Sequence, residues 1–452
     1  MKYTFLISSA LGLALAANTG HAENYSVDQR INTLEQEISL LKRQQEVEKE
    51  KADSDKEKAA KTELGKKGLS ITSPDGKYGL SLGTNIQLDA RHFINDQDKN
   101  GKDDILSRQI RPILEGKAGN ASFRFVPDFA GGTTRVLDAH VDYKFADPFK
   151  VRVGKFKPPI GLERLQSPVD MFFMEPGHPT NLVPNRDYGI QLYGEAIPNL
   201  VDYQLAIMNG NGDQGNTDGD DDNKKDIDAR IFSTPFRTSD IPSLQGLGVG
   251  VGGGYGKRVG TPTKTILGDY KTPGQLSFFK YRTGTLASDT TYASGTQWRL
   301  SPQAYWYSGN KGLLAEYVIS TQDVTRSTST ATLHNSAWQV VGSYVITGED
   351  VTYKGSVKPY QDFDIRTGGI GAWEVVARVG QTNVDDDAFP FFADPAKAAR
   401  LATSAGTGLN WYLSENLKMM VDYDYTKFDG GKAGNDDRDA EQALVSRLQF
   451  RM

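Results

Sequence analysis

Positively charged residues crowd one short stretch of the sequence that contains no acidic residue. Lys150, Arg152, Lys155 and Lys157 fall between positions 150 and 157, and such a run raises the local positive potential. Arginine presents planar donors that can pair with two oxygens of a phosphate or carboxylate, whereas lysine acts as a compact point charge. The residue types and their spacing therefore predict a site that attracts small anions.

Further cations follow the polar faces of alternating segments and the ends of the segment 158–187. The alternating group comprises Arg91, Arg124, Lys150, Arg152 and Arg230, and the second group comprises Lys155, Lys157, Arg164 and Arg186. The same polar faces carry Asp89, Asp128, Asp138, Asp142 and Asp228. Two interpretations stay open: a local anion site, or a mixed, salt-bridged surface that only keeps the interior rigid and wet.

The elements that carry these side chains are predicted to be β-strands. Between residues 80 and 91, apolar and polar residues alternate, so that one face of the segment is apolar and the other is polar. The same split recurs at 122–129 and 137–145. A soluble β-sandwich shows such alternation too. Segments of about ten residues joined by alternately short and long connectors favour a transmembrane β-barrel.

Sixteen such segments can be counted between residues 78 and 450, an even number, as a closed bacterial barrel requires. We therefore predict an all-β fold, a 16-stranded antiparallel transmembrane β-barrel over residues 68–452, with a lumen wide enough for water. Short turns such as 119–120 and 309–310 are predicted to lie at the periplasmic end of the barrel. Longer connectors such as 158–187 and 258–295 predict the extracellular end, and the apolar residues 278–281 are assigned to the latter loop.

Composition excludes several classes of protein. The chain has 452 residues, 52 Lys+Arg, 57 Asp+Glu, a formal net charge of -5 and no cysteine. The lack of cysteine excludes a disulfide scaffold, a Cys-ligated zinc site and a thiol enzyme. The charge balance argues against a nucleic-acid partner. A mean hydropathy of -0.50 argues against a bundle of transmembrane helices.

The N-terminal residues predict export followed by a helical segment. Residues 1–22 have the layout of a secretory signal peptide, with Lys2 before a short apolar core and small residues ahead of cleavage after Ala22. Residues 23–67 are predicted to form a periplasmic coiled coil with other copies of the chain, and a solvated single helix is the alternative. The apolar seam, spaced 4, 3, 4, 3, is Val27, Ile31, Leu34, Ile38 and Leu41.

Five motifs are spread along the predicted barrel. The most specific is FKVRVGKFKPPIGLERLQS at 149–167, and the weaker ones are RQIRPILEG at 108–116, DF at 128–129, RDYG at 186–189 and GAWE at 371–374. Together they resemble the phosphate-selective porin O/P family of Gram-negative outer membranes, over about residues 69–450. The resemblance implies a homotrimer of 16-stranded barrels in the outer membrane. Each barrel is then an anion channel, for phosphate or polyphosphate in some members, with the third extracellular loop folded inward as the constriction.

The resemblance also assigns pore residues, although the chain departs from the family pattern. It places Arg91, Arg108 and Arg230 in the pore, with Gln109 where the pattern has a second arginine. Pro176 follows Glu175 where selective members tend to carry arginine. We expect an outer-membrane porin for small anions. A general or cation-tolerant porin without a phosphate site, and a structural barrel tethered through its coil, are the alternatives.

An acidic segment and the histidines could carry other chemistry. Asp96, Asp98, Asn100 and Asp104 have the spacing of the start of a calcium loop, but Ser107 stands in place of the closing glutamate. We expect solvated loops here and no cofactor, with weak Ca²⁺ binding and contact with lipopolysaccharide as the alternative. The histidines lie in no recognisable nucleophile motif, so we do not expect an enzyme.

Overall fold

A computed structural model of the chain describes residues 27–65, 68–94, 101–216, 218–220, 222–434 and 436–452. The predicted signal peptide lies outside the described residues, as do Asp96, Asp98 and Asn100 of the predicted calcium loop. The described chain divides into two units, one ending at Ala60 and one beginning at Lys61.

The described part of the first unit contains a single helix, α1 (Val27–Lys58). The side chains of the predicted seam are solvent-exposed, from 47% at Ile31 to 74% at Val27. The helix ends before the predicted limit at residue 67, because the strand β1 (Lys61–Gly65) instead pairs with β2 (Gly68–Thr72). Within the described residues, no helix is long and apolar enough to cross a membrane.

The second unit contains sixteen antiparallel strands that close into a barrel. Its last strand pairs with its first, from Ala443 opposite Phe93 to Arg451 opposite Asn85, which confirms the predicted fold. The strands that follow β2 are β3 (Tyr78–Phe93), β4 (Asp104–Ala118), β5 (Ala121–Asp128), β6 (Arg135–Ala146), β7 (Phe149–Phe156), β8 (Asp187–Ile197), β9 (Val201–Met208), β10 (Asp226–Ser233), β11 (Leu247–Val259), the separate hairpin β12 (Asp269–Lys271) and β13 (Ser277–Lys280), β14 (Tyr292–Ser308), β15 (Lys311–Arg326), β16 (Ser329–Val345), β17 (Ala372–Asn383), β18 (Ala399–Tyr412), β19 (Leu417–Gly430) and β20 (Glu441–Arg451).

Alternation along each strand gives the barrel an apolar outside and a polar inside. On β10, Asp226, Asp228 and Arg230 are buried, whereas Ile227 and Ile231 are more than half exposed. This pattern is the reverse of a soluble protein and fits a wall that faces lipid on the outside.

The connection between β7 and β8, residues 157–186, is folded into the barrel, and we call it the inward loop. It contains the short helix α2 (Leu162–Leu165) and a 3₁₀ turn at His178–Leu182. Wall residues of β14, β15 and β17–β20 hydrogen-bond its backbone; they are Gln303, Glu316, Arg378, Asn410, Lys418, Asp422, Arg447 and Gln449. The inward loop therefore covers this half of the wall.

Glycine on β11 lets the inward loop approach the wall closely. Every second residue from Gly248 to Gly256 is glycine. A Cβ atom at Gly252 would lie 2.3 Å from the backbone oxygen of Ile160 in the inward loop. No side chain fits into that distance, so glycine is required at this contact.

An apolar cluster joins the inward loop to the β12–β13 hairpin at the long-connector end. Ile160 and Leu182 of the loop are fully buried against Tyr270, Phe278 and Phe279 of the hairpin. The side chain of Asn181 also donates to the carbonyl of Lys271 and accepts from its N–H, at 2.8 and 3.0 Å. Residues 278–281 thus belong to an inserted loop rather than to the barrel wall, as predicted.

Candidate functional site

Two cavities lie in the lumen on the side that the inward loop leaves uncovered. The inner cavity, of about 730 Å³, is lined mainly by β3–β8 and extends to the short-turn end. The outer cavity, of about 580 Å³, extends towards the long connectors. The two cavities share Arg111, Lys157, Pro168 and Arg186, and we call these four residues the eyelet.

Of the three eyelet cations, two lie next to strand ends and one lies inside a strand. Lys157 is the first residue after β7, and Arg186 is the last residue before β8. Arg111 lies on β4, where its Nε donates to Asp128 at 2.7 Å. Arg186 Nε donates to Asp138 at 2.8 Å, and Lys157 Nζ donates to a backbone carbonyl at 2.6 Å. The inward loop and the β3–β8 wall thus present their cations to both cavities.

The eyelet region holds more positive than negative charge. Among the described residues, Lys157 and Arg164 have no carboxylate within 4.0 Å. Arg164 donates to the carbonyl of Thr180 at 2.7 Å, and its buried Nε has no hydrogen-bond partner in the described part of the chain. Burial, followed by the charge of Arg186, lowers the pKa of both Lys157 and Arg164. The positive charges of Lys157, Arg164 and Arg186 repel one another, and an anion that enters the eyelet would offset this repulsion.

A β-bulge brings Arg108 and Arg111 to the same side of the wall. Gln109 is opposite Gln87, but Ser107 is already opposite Leu88, so Arg108 is the extra residue. Two residues three apart on a regular strand face opposite sides, whereas a bulge shifts the alternation by one residue. Arg108 therefore reaches Glu175 in the lumen at 2.5 Å, while Arg111 lies at the eyelet.

The structure brings seven of the ten predicted cations to the cavities. Lys157 and Arg186 line both cavities. The remaining five divide between the two, with Arg91, Arg108 and Arg164 on the outer cavity and Arg124 and Arg152 on the inner one. Alternation or a position beside the loop had placed six of them, and the family resemblance had placed Arg108.

Three predicted cations lie elsewhere. Lys155 is opposite Ala139 and Tyr188, on the face of β7 away from Arg152, and its Nζ pairs with Asp218 at 2.5 Å. Lys150 lies 6.0 Å from the ring centroid of Tyr193. Arg230 donates to Gln303 at 2.9 Å, and it lines neither cavity. For Lys155 the reason is local, because a run of closely spaced cations in a strand must divide between its two faces. Lys150 shares the face of Arg152 but lies two residues nearer the short turn that precedes β7.

Most lumen carboxylates are paired with arginine, so that part of the lumen is salt-bridged. Asp128 and Asp138 accept from the eyelet arginines. Asp142 accepts from Arg152 at 2.8 Å, and Asp89 accepts from Arg447 at 2.6 Å. These pairs hold arginine side chains in place and neutralise the carboxylates that would otherwise repel anions.

Sequence reasoning missed four cations that line the cavities. Arg111 is the most important, because it lies in the eyelet; Lys117, Arg135 and Lys271 are the others. The motif RQIRP contains Arg111, but only knowledge of the bulge at Arg108 shows that both arginines face the lumen. Asp104 opens β4 and is exposed, and no cluster of three or more metal-binding residues occurs in the described part of the chain.

A closed barrel of sixteen strands, narrowed by a loop folded into a polar lumen, defines the protein as an outer-membrane porin. The sequence profile of the family described as phosphate-selective porin O and P matches residues 80–452, and the chain belongs to this family. The resemblance noted from the motifs is thereby confirmed, as is a location in the outer membrane of a Gram-negative bacterium.

Individual relatives agree with this assignment. Porin O of Pseudomonas aeruginosa is 22% identical over 419 residues, which are 85% of this chain and 91% of that protein. The outer membrane channel DcaP of Acinetobacter baumannii has a similar fold, with a TM-score of 0.54 at 13% identity over 83% of this chain and 98% of that one. Outer-membrane expressed OmpT of Vibrio cholerae gives a TM-score of 0.51 at 11% identity, with the same coverage.

Proposed function

We propose that this porin passes small anions by diffusion and prefers phosphate-like oxyanions, because three cations line the passage between its two cavities. Arg111, Lys157 and Arg186 belong to the lining of both cavities, so a solute that crosses from one cavity to the other passes all three. Guanidinium groups match the geometry of phosphate oxygens. The name of the family agrees with such a substrate.

Passage needs binding that is weak enough to be reversed. Selective conduction replaces part of the hydration shell of an ion without trapping the ion. At the eyelet, Asp128 and Asp138 already pair with Arg111 and Arg186, which reduces the attraction that these arginines exert on a passing anion. When protonated, Lys157 supplies a third charge, and among the described residues no carboxylate lies within 4.0 Å of it. No bond of the solute is made or broken during its passage.

Phosphate block of the chloride current tests this proposal. Single-channel chloride current would be recorded in a planar bilayer while inorganic phosphate is added to both sides. We expect a saturable decrease in the current, because phosphate occupies the eyelet longer than chloride. A chloride current that does not respond to phosphate would instead support the alternative of a general porin without a phosphate site.

The lowered pKa of Lys157 predicts a pH dependence. A lysine is charged only below its pKa, so anion selectivity should fall as the pH rises through a value below the usual range of lysine. The measurement is the reversal potential in a salt gradient at increasing pH. Lys157→Arg keeps its charge throughout, and an equal pH response in that variant would assign the titration to another group.

We also propose that the protein is a homotrimer whose helices associate in the periplasm. The apolar seam of α1 is solvent-exposed and spans about two heptads. A coiled coil of this length is stable only when the seam packs against partner helices. Ile38→Asp should lower the melting temperature of the trimer on seminative gels, because it places a charge in the seam. Gln36→Asp, two positions earlier and outside the seam, should not. Equal melting of both variants would favour a solvated single helix.

A further inference from the structure

The carboxylate of Glu175, in the inward loop, is surrounded by three arginines. Arg108 binds it with two parallel hydrogen bonds, Nε to Oε1 at 2.5 Å and Nη2 to Oε2 at 2.9 Å. Arg91 and Arg447 each donate an Nη2 to Oε1 at 3.0 Å. Such a convergent set of guanidinium donors is the arrangement with which proteins bind a free oxyanion.

The backbone around Glu175 is held independently of this carboxylate. The carbonyl of Glu175 accepts from Arg378 at 2.8 Å. The preceding residue, Met174, donates its N–H to Asp422 at 2.8 Å and accepts at its carbonyl from Arg447 at 2.5 Å. On the other side, the N–H of Gly177 donates to Glu163 at 2.8 Å. The position of the loop at residue 175 therefore does not depend on the Glu175 side chain.

We propose that Glu175 is a tethered anion that occupies an oxyanion site formed by Arg91, Arg108 and Arg447. The site would take a small oxyanion such as phosphate or sulfate once the carboxylate is absent. This inference adds a second site to the proposed function and rests on anions being able to enter the outer cavity. It differs from the eyelet, whose cations the carboxylate of Glu175 does not contact.

The charge balance and the location of the site support this proposal. Three arginines face the two carboxylates of Glu175 and Asp89, so the cluster carries one positive charge, and it would carry two without Glu175. Arg91, Arg108 and Glu175 line the outer cavity, and the side chain of Arg108 is 32% exposed. A solute in that cavity can therefore reach the donors that Glu175 now occupies.

The occupied site has a consequence for transport. An unoccupied triad of arginines in the outer cavity would bind an oxyanion before it reaches the eyelet and slow its release. With Glu175 in place, a passing anion must compete with a carboxylate that is always present at high local concentration. The inward loop thus keeps the outer cavity attractive to anions without creating a trap.

The test compares phosphate binding by the native protein and by Glu175→Ala. The full-length protein would be titrated with inorganic phosphate in detergent by calorimetry, and phosphate block of the single-channel chloride current would be measured in parallel. We expect about tenfold tighter phosphate binding in Glu175→Ala, since a charge is removed and two parallel donors of Arg108 are released. Adding Arg108→Gln to this variant should reverse the gain.

Glu115→Ala is the matched control, because Glu115 pairs with Arg124 on the inner cavity and is 47% exposed. Phosphate affinity in that variant should stay within about twofold of the native value. Higher conductance with unchanged phosphate affinity in Glu175→Ala would overturn the proposal and make Glu175 only a tether of the inward loop. A native pore without phosphate block, beside a Glu175→Ala variant that binds phosphate, would contradict the proposed function and support this inference.

Discussion

Lys157→Gln should lower the ratio of chloride to potassium permeability about tenfold. The variant removes the one eyelet cation that has no carboxylate partner among the described residues. Two unit charges 4 Å apart interact by about 4 kcal/mol at an effective dielectric constant of about 20. Water and salt in the lumen screen much of this attraction. Glutamine can still donate to the carbonyl of Gln166, so the loop should keep its position.

The control for this experiment lies two residues away. Lys155→Gln removes the same charge from the outward face of β7, where the lysine pairs with Asp218. The reversal potential in a potassium chloride gradient would be measured for both variants. Lys155→Gln should leave it at the native value. If both variants changed it equally, selectivity would arise from the overall charge of the barrel rather than from the eyelet.

Gly252→Ala should displace the inward loop and raise the single-channel conductance. The new methyl group would lie 2.3 Å from the backbone oxygen of Ile160, and neither β11 nor the loop backbone can yield without breaking other contacts. Overpacking of this kind costs about 1–3 kcal/mol. The carbonyl of Ile160 also accepts from Gln303 at 2.8 Å, so this hydrogen bond should weaken as well. Lower stability and a wider, less selective pore are the expected results.

Gly342→Ala provides the matched glycine substitution in the wall. It lies in β16, and an added Cβ atom there would meet nothing within 4 Å. Unfolding in denaturant and single-channel conductance would be compared for the two variants. Gly342→Ala should behave as the native protein. Native stability and conductance in Gly252→Ala would show that close approach of the loop to β11 does not set the width of the pore.

The barrel could be predicted from the sequence because strand alternation is a local property. Side chains of consecutive strand residues point to opposite faces, so Leu80–Arg91 alone shows one apolar and one polar side. The end of α1 could not be predicted in this way. Lys61–Gly65 has no alternating pattern, and it becomes a strand because β2 offers it a hydrogen-bonding partner. Such pairing depends on the register of another strand and leaves no local signal.

The site was predictable only in part, for the same reason. Arg186 and Lys157 were found because they flank a recognisable inward loop. Arg111 was missed, since the bulge that directs both it and Arg108 into the lumen is visible only in the pairing of β3 with β4. The arginine triad around Glu175 includes Arg447, which is distant in sequence and meets the inward loop only when the barrel closes.

The reversal potential of the native protein across a potassium chloride gradient tests the central claim most directly. The claim is that cations of the β3–β8 wall and the inward loop meet in an eyelet that favours anions. A potential displaced towards the chloride equilibrium value, and displaced less at high salt as screening increases, is the predicted result. A potential near zero, or one displaced towards the potassium value, would contradict it and show that the paired carboxylates of the lumen cancel the eyelet charge.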